Sequence, residues 1–353
     1  MDELFYQAVD LLKQLISTPS ISRDEAAAAD IVEQFINNAG HQTRRHNNNV
    51  WTIADDYDPS RPTLLLNSHI DTVKPAPGWQ HDPFTPQVDD ESRLFGLGSN
   101  DAGASLVSLL AAYLFMSGQQ RSYNLVFLAS CEEEVSGRDG IEAAIPLLPH
   151  IDVAIVGEPT GMNPAIAEKG LMVLDAEIDG VAGHAARNEG LNAIYQAIPV
   201  IETLRNLRLP KESATLGPVK ISVTQINAGT QHNVVPSLCK MVVDVRTTDA
   251  YTNEKTLALL REAVPQCRLT PRSTRLNPSG ISPDHPIIRR MTILGAEPFG
   301  SPTLSDQALM PWQSVKLGPG DSSRSHTADE YITLDEIREA IATYIALLDG
   351  LNI

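Results

Sequence analysis

NLVFLASCEEEVSG, residues 124–137, decides how this chain is read. An apolar run, Leu125–Ala129, has strand length and ends at Cys131. Three carboxylates follow at once: Glu132, Glu133 and Glu134. Adjacent carboxylates repel, and removing them from water is costly. A triple Glu is usually a solvated helix face. Here a strand precedes it and Gly137 follows, so a positive partner at the strand end is the better expectation.

Outward from that stretch, short apolar runs alternate with helical periodicity. Residues 3–17 and 24–39 read as helices, the second stopped by Gly40. Thr63–Leu66 reads as a strand, Ser105–Met116 as a helix, 138–148 as helical and Asp152–Val156 as a strand. The tract 47–49 reads as a turn. This order predicts an α/β fold with a mostly parallel sheet and helices on both faces. The texture changes near Gly170. Leu171–Asp179 alternates like a half-buried strand, Leu191–Leu207 and Lys255–Ala263 read as helices, and Lys220–Ile226 and Met241–Val245 as strands. That β-α-β-β-α order predicts a small α+β layer. After Pro283 and Pro286 the first texture returns, with helix Ile287–Leu294, strand Ser314–Leu317 and helix Leu334–Leu348. We therefore expect one domain from 1–170 and 282–353, interrupted by an inserted domain at 171–281.

Four strand ends carry the chemistry. LLLNSHIDTV places His69 and Asp71 after one strand; the glutamates follow the second. DVAIVGEPT places Glu158 after the third, and VKLGPGDSSRSHTADEY places His326 after the fourth. Ligands of open α/β sheets bind outside the carboxyl ends of the strands, so parallel pairing would gather all four groups. Asp101, in GLGSNDAGAS at the start of a helix, can join them. Two histidines and several carboxylates in a dry crevice are a divalent-metal site. More than four candidate ligands suggest two ions with a shared carboxylate. One carboxylate must stay free to take a proton from water. Asp71, two residues after His69, is placed to accept its other ring N–H. Zinc is favoured by the donor types, with cobalt or manganese as alternatives. His41, His46, His81, His150 and His285 stand alone and are expected to be packing or surface residues.

Composition narrows the class. The 353 residues are 42% hydrophobic and 20% charged, as in ordinary globular chains. The net charge of −17 disfavours nucleic acid or an anionic membrane as partner. No apolar run has transmembrane length, and the acidic amphipathic start does not resemble a signal peptide. Three widely spaced cysteines, Cys131, Cys239 and Cys267, fit free thiols in a reducing cytoplasm.

The ordered set His69-x-Asp71, Asp101, Glu133–Glu134, Glu158 and His326 resembles the M20 family of dinuclear zinc amidohydrolases and exopeptidases over nearly the whole chain. The resemblance implies His69, Glu134, Glu158 and His326 as metal ligands, with Asp101 bridging and Asp71 behind His69. Glu133 becomes the general base, with Glu132 in the place of the family's Asp; a one-residue slip would make Glu132 the base. Ala102 departs mildly from the residue that usually follows the bridging Asp. The inserted domain would be a lid and homodimer interface. GVAGHAARNEGLNAI resembles the stretch whose His, here His184, stabilises the oxyanion, although Arg187 stands where Pro is frequent. HNVVP and DVRTT supply Asn233 and Arg246 for a substrate carboxylate. The closing motif LGPGDSSRSHTADEY is most like that of the acetylornithine deacetylase type. It implies a small N-acyl amino acid substrate and a role in arginine or related amino-acid biosynthesis. N-succinyl amino acids, acylcitrulline, acyl-lysine and dipeptides are the alternatives.

Two readings compete from other classes. Gly98–Ser105 has the glycine frame of a phosphate-binding loop, but Ala104 takes the Lys position and Asp101 would repel phosphate. A non-catalytic metal module would require a broken ligand or base set, and none is missing.

Overall fold

The strand built from NLVFLAS, Asn124–Ser130, is buried at all seven positions. A continuous apolar run is what a strand covered on both faces requires. It pairs in parallel with Thr63–His69, which pairs in parallel with Val153–Val156, which pairs in parallel with Gln313–Lys316. Alternate residues feed different cores. Leu64, Leu66, Leu125 and Phe127 join the helices Asp2–Ile16, Ala104–Ser117 and Leu334–Leu348 in one cluster. Leu65, Val126 and Leu128 join Trp51, Ile141 and Met310 in another. The period-2 alternation of a strand explains why both layers are apolar.

This computed structural model describes residues 2–187 and 189–353. The chain divides into two compact units: one of Met1–Ile166, Gly280–Phe299 and Ser305–Ile353, the other of Ala167–Ser279 and Gly300–Leu304. In the first, the parallel strands are flanked on one side by an antiparallel hairpin, Thr43–His46 and Asn49–Ile53. Asn47, at φ +53°, makes its turn. The hairpin is not evident from sequence, because TRRH has no apolar alternation and alternates only in exposure. The expected helix at 138–148 shrinks to Ile141–Ala144 and a 3-10 turn, Ile145–Leu147. Pro146 lacks the N–H that a longer helix would use, and it restricts Ile145. The final helix is fixed at its start by a capping box between Thr333 and Glu336.

The second unit is a four-stranded antiparallel sheet in the order Lys220–Ala228, Leu238–Thr247, Gly170–Asp179, Arg268–Pro271. Gly170–Asp179 alternates buried and half-buried residues. Its buried face, Met172, Leu174, Ala176 and Ile178, shares a core with Ala197, Val200 and Leu204 of helix Ala193–Asn206 and with Leu257 and Leu260 of helix Asn253–Ala263. The strand Arg268–Pro271 completes the order as β-α-β-β-α-β; at four residues it is too short to announce itself in sequence.

Candidate active site

Parallel register brings the carboxyl ends of the four strands side by side. His69 lies opposite Ser130, Asn67 opposite Val156, and Val156 opposite Lys316. The side chains that follow converge. His69 Nε2 is 3.2 Å from Asp101 Oδ1 and 3.7 Å from Glu158 Oε1. His326 Nε2 is 3.0 Å from Glu134 Oε2 and 3.6 Å from Asp101 Oδ2. Asp101 therefore turns one oxygen to each histidine. Donor atoms of His69, Asp101 and Glu134 lie within 4.8 Å of one another, as do those of His69, Glu133 and Glu158. Glu132 belongs to neither group.

Local backbone explains this placement. Glu132 and Ser136 are left-handed, at φ +56° and +44°, and bracket the 3-10 turn Glu133–Val135. The turn curls back so that the amides of Glu133 and Glu134 donate to the two oxygens of Asp71, at 3.0 and 3.1 Å. Ser22 Oγ donates to Asp71 as well, at 2.7 Å. His69 Nδ1 meets the main-chain oxygen of Asp71 at 2.9 Å, with the carboxylate 3.6 Å away. Asp71 was expected only behind His69; its carboxylate mainly holds the glutamate turn. Glu25, fully buried, takes the amide of Glu132 at 3.3 Å and is a further support that sequence gave no sign of. Gly137 admits no side chain, since a Cβ there would strike the Glu132 carboxylate.

The loop Ser99–Gly103 presents Asp101 ahead of helix Ala104–Ser117. Its amides at Asn100 and Asp101 both donate to Glu330 Oε1 at 2.9 Å. They are thus committed, which removes the phosphate-binding reading of this glycine-framed loop.

The second unit carries the other expected residues. His184 pairs with Val234 on a two-stranded ladder, and the amide of Ala185 donates to the Asn233 oxygen at 3.0 Å, so His184 and Asn233 are neighbours and exposed. Arg246 lies on the strand Leu238–Thr247 and grips Asp244 through Nε at 2.9 Å and Nη2 at 3.2 Å. Asn188 of the quoted loop lies outside the described residues. Among the lone histidines, His81 stacks on Phe95 and bonds Asp329, and His285 caps the helix Pro286–Ile293.

The electrostatics show how crowded the first unit's site is. Burial, with Asp101 next, pushes Glu158 up to about 8. Burial pushes Glu133 well above the usual carboxylate range. Burial alone would lower His69, but bonds to Asp101 and Asp71 hold it raised. The Glu134 carboxylate raises His326 to about 9. Without a cation, each of these groups binds protons more tightly folded than unfolded. The glutamates then cost stability as pH rises from their unfolded pKa near 4.5, and the histidines lose theirs as pH rises through their folded pKa. We expect the chelated protein to lose melting temperature steadily between about pH 5 and 9, and added divalent metal to remove most of that slope. A scanning-fluorimetry series with and without chelator checks this; a flat apo profile would contradict it.

The donor types fit divalent cations: two imidazoles and several carboxylates, with Asp101 turned toward both histidines, at the carboxyl ends of the strands. An α/β sheet with such a cluster at the carboxyl ends of its strands suits a metal-dependent hydrolase. The chain belongs to Peptidase family M20/M25/M40, whose profile it matches over residues 65–350. It is 29% identical to the acetylornithine deacetylase of Klebsiella pneumoniae, over 92% of each chain. It is 27% identical to the succinyl-diaminopimelate desuccinylase of Stenotrophomonas maltophilia, over 97% of this chain and 98% of the relative. Among solved structures, a dinuclear metal-binding M20 peptidase of Bacillus subtilis superposes with TM-score 0.76 at 15% identity, covering 99% of this chain and all (100%) of the other. All three cysteines are free and buried, and among the described residues no helix is long and apolar enough to cross a membrane.

Proposed function

We propose that this protein hydrolyses the amide of a small N-acyl amino acid, N-acetylornithine or a close analogue, in arginine or related amino-acid biosynthesis in the cytoplasm. The observation that carries the reading is Asp101, with one oxygen 3.2 Å from His69 and the other 3.6 Å from His326. His69, Glu158 and Asp101 would hold one ion, and His326, Glu134 and Asp101 the other; zinc suits the donors best, with cobalt or manganese able to replace it. When bound, the pair supplies an acidified water and an electrophile for the acyl oxygen.

The residues of the chain do the rest. Glu133 takes the proton from water and returns it to the leaving amine. Asp71 keeps Glu133 and Glu134 in register through their amides. His184 donates to the developing oxyanion, and Arg246 with Asn233 binds the substrate carboxylate. Arg246 must then share its guanidinium with Asp244 or exchange that partner for substrate. The second unit serves as lid and homodimer interface; its exposed Tyr195 and Ile198, one helical turn apart, supply apolar surface for a second copy.

A second reading, desuccinylation of an N-succinyl amino acid, is favoured by the near-equal similarity to the Stenotrophomonas enzyme. Acylcitrulline, acyl-lysine and dipeptides follow. The test is ornithine release from N-acetyl-L-ornithine by protein reloaded with zinc or cobalt, beside an EDTA-treated control. Metal-dependent release at a rate near the enzyme median of about 10 per second supports the acetylornithine assignment. No release by a metal-loaded chain that cleaves N-succinyl substrates instead would overturn it.

A further inference from the structure

Glu330 lies in the same SHTADEY segment as His326, and no role in the chemistry above uses it. It is almost completely buried, 2% exposed, yet among the described residues no lysine or arginine bonds its carboxyl group. Its partners are backbone amides. Oε1 accepts from Asn100 and from Asp101, each at 2.9 Å. The main-chain oxygen of Glu330 accepts from Gly96 at 3.1 Å. One residue therefore holds the loop 96–101 at three points. The loop is laced to the 321–330 segment again through Asn100: its Nδ2 donates to the Asp321 oxygen at 3.1 Å, and its Oδ1 accepts from the Asp321 amide at 3.1 Å. Asp329 next door takes the amides of Gln80 and His81, at 2.9 and 3.0 Å.

We infer that Glu330 is the positioning residue that fixes Asp101 between the two metal positions and sets the span between Asp101 and His326; this rests on the di-metal reading above. Asp101 and His326 come from loops more than two hundred residues apart, and they must reach a common ion. Amides that converge on one buried carboxyl oxygen bond it most strongly when it is ionised. Removing the acceptor leaves buried amides unpaired, a cost the loop can relieve only by shifting, and Asp101 shifts with it. A glutamine can keep the one oxygen that accepts both amides, but it never bears the negative charge and puts an NH₂ group where Oε2 stands. Residues that orient metal ligands in this way change metal affinity about 10–100-fold when altered.

The test compares Glu330→Gln and Glu330→Ala with Tyr123→Phe. Tyr123 is buried and its hydroxyl donates to the Leu348 oxygen at 2.8 Å, away from the site, so it controls for lost stability. Zinc affinity is measured by competition with a chelator, and the visible spectrum is recorded after cobalt loading; neither needs substrate. Glu330→Gln should bind zinc about 10–100-fold more weakly and alter the cobalt bands, while Tyr123→Phe leaves both unchanged. If Glu330→Ala does not fold, Glu330→Gln decides. Wild-type affinity and spectrum in Glu330→Gln would overturn this inference alone. A wild-type chain that takes up no metal would overturn the di-metal reading and this inference with it.

Discussion

Glu133→Gln is expected to lower kcat by about 10²–10⁴-fold, the range that a positioned general base contributes, while the protein still binds its metals. The side chain has a donor atom within 4.8 Å of His69 and Glu158, at the heart of the cluster, and burial holds its carboxyl far above the usual range. A group so placed takes a proton readily, as the reaction requires. Glutamine conserves shape and volume and removes only that capacity. The turn should survive, because Asp71 holds it through the backbone amides of residues 133 and 134 rather than through side chains. Metal content by elemental analysis should match wild type, and KM should move little. Near-normal turnover would remove Glu133 as the base; Glu132→Gln then becomes the variant to test, although Glu132 lies in neither donor group.

Asp101→Ala is expected to be the most damaging single change at the site. Asp101 turns one carboxylate oxygen to each histidine, at 3.2 Å and 3.6 Å. Its loss leaves each half of the cluster one ligand short, and the remaining carboxylates no longer share a cation pair. Bound metal should fall below two ions per chain, and turnover should fall by at least the 10²–10⁴-fold of the base variant. Glu330 still clamps the loop by its amides, so circular dichroism should remain that of a folded chain. Full metal content in Asp101→Ala would show that the carboxylate is not shared.

Much of the fold was legible because strands and helices advertise themselves by period. Three of the four parallel strands are built on apolar runs, Leu64–Leu66, Leu125–Ala129 and Val153–Val156, and the chemistry-bearing residues follow their carboxyl ends, so strand direction and the place of the chemistry could be read together. His69, Glu133, Glu134, Glu158 and His326 were named on that logic and Asp101 from its place at a helix start, and the structure brings them within a few ångströms. What sequence hid were bonds across long separations. Ser22 to Asp71, Glu25 to Glu132 and Glu330 to Asp101 span 49, 107 and 229 residues and leave no local pattern. Asp71 itself was recognised for its spacing from His69, yet its carboxylate is spent on the glutamate turn, a contact that only the left-handed backbone at Glu132 makes possible. The hairpin Thr43–Ile53 escaped because edge strands can be polar on both counts that strand patterns use.

The measurement that tests the di-metal site most directly is anomalous diffraction at the zinc edge from crystals grown with zinc. Two peaks about 3.5–4 Å apart are expected, one against His69 and Glu158, the other against His326 and Glu134, with Asp101 between them. A single peak, or peaks that Asp101 does not touch, would contradict the shared-carboxylate site and the hydrolytic mechanism built on it.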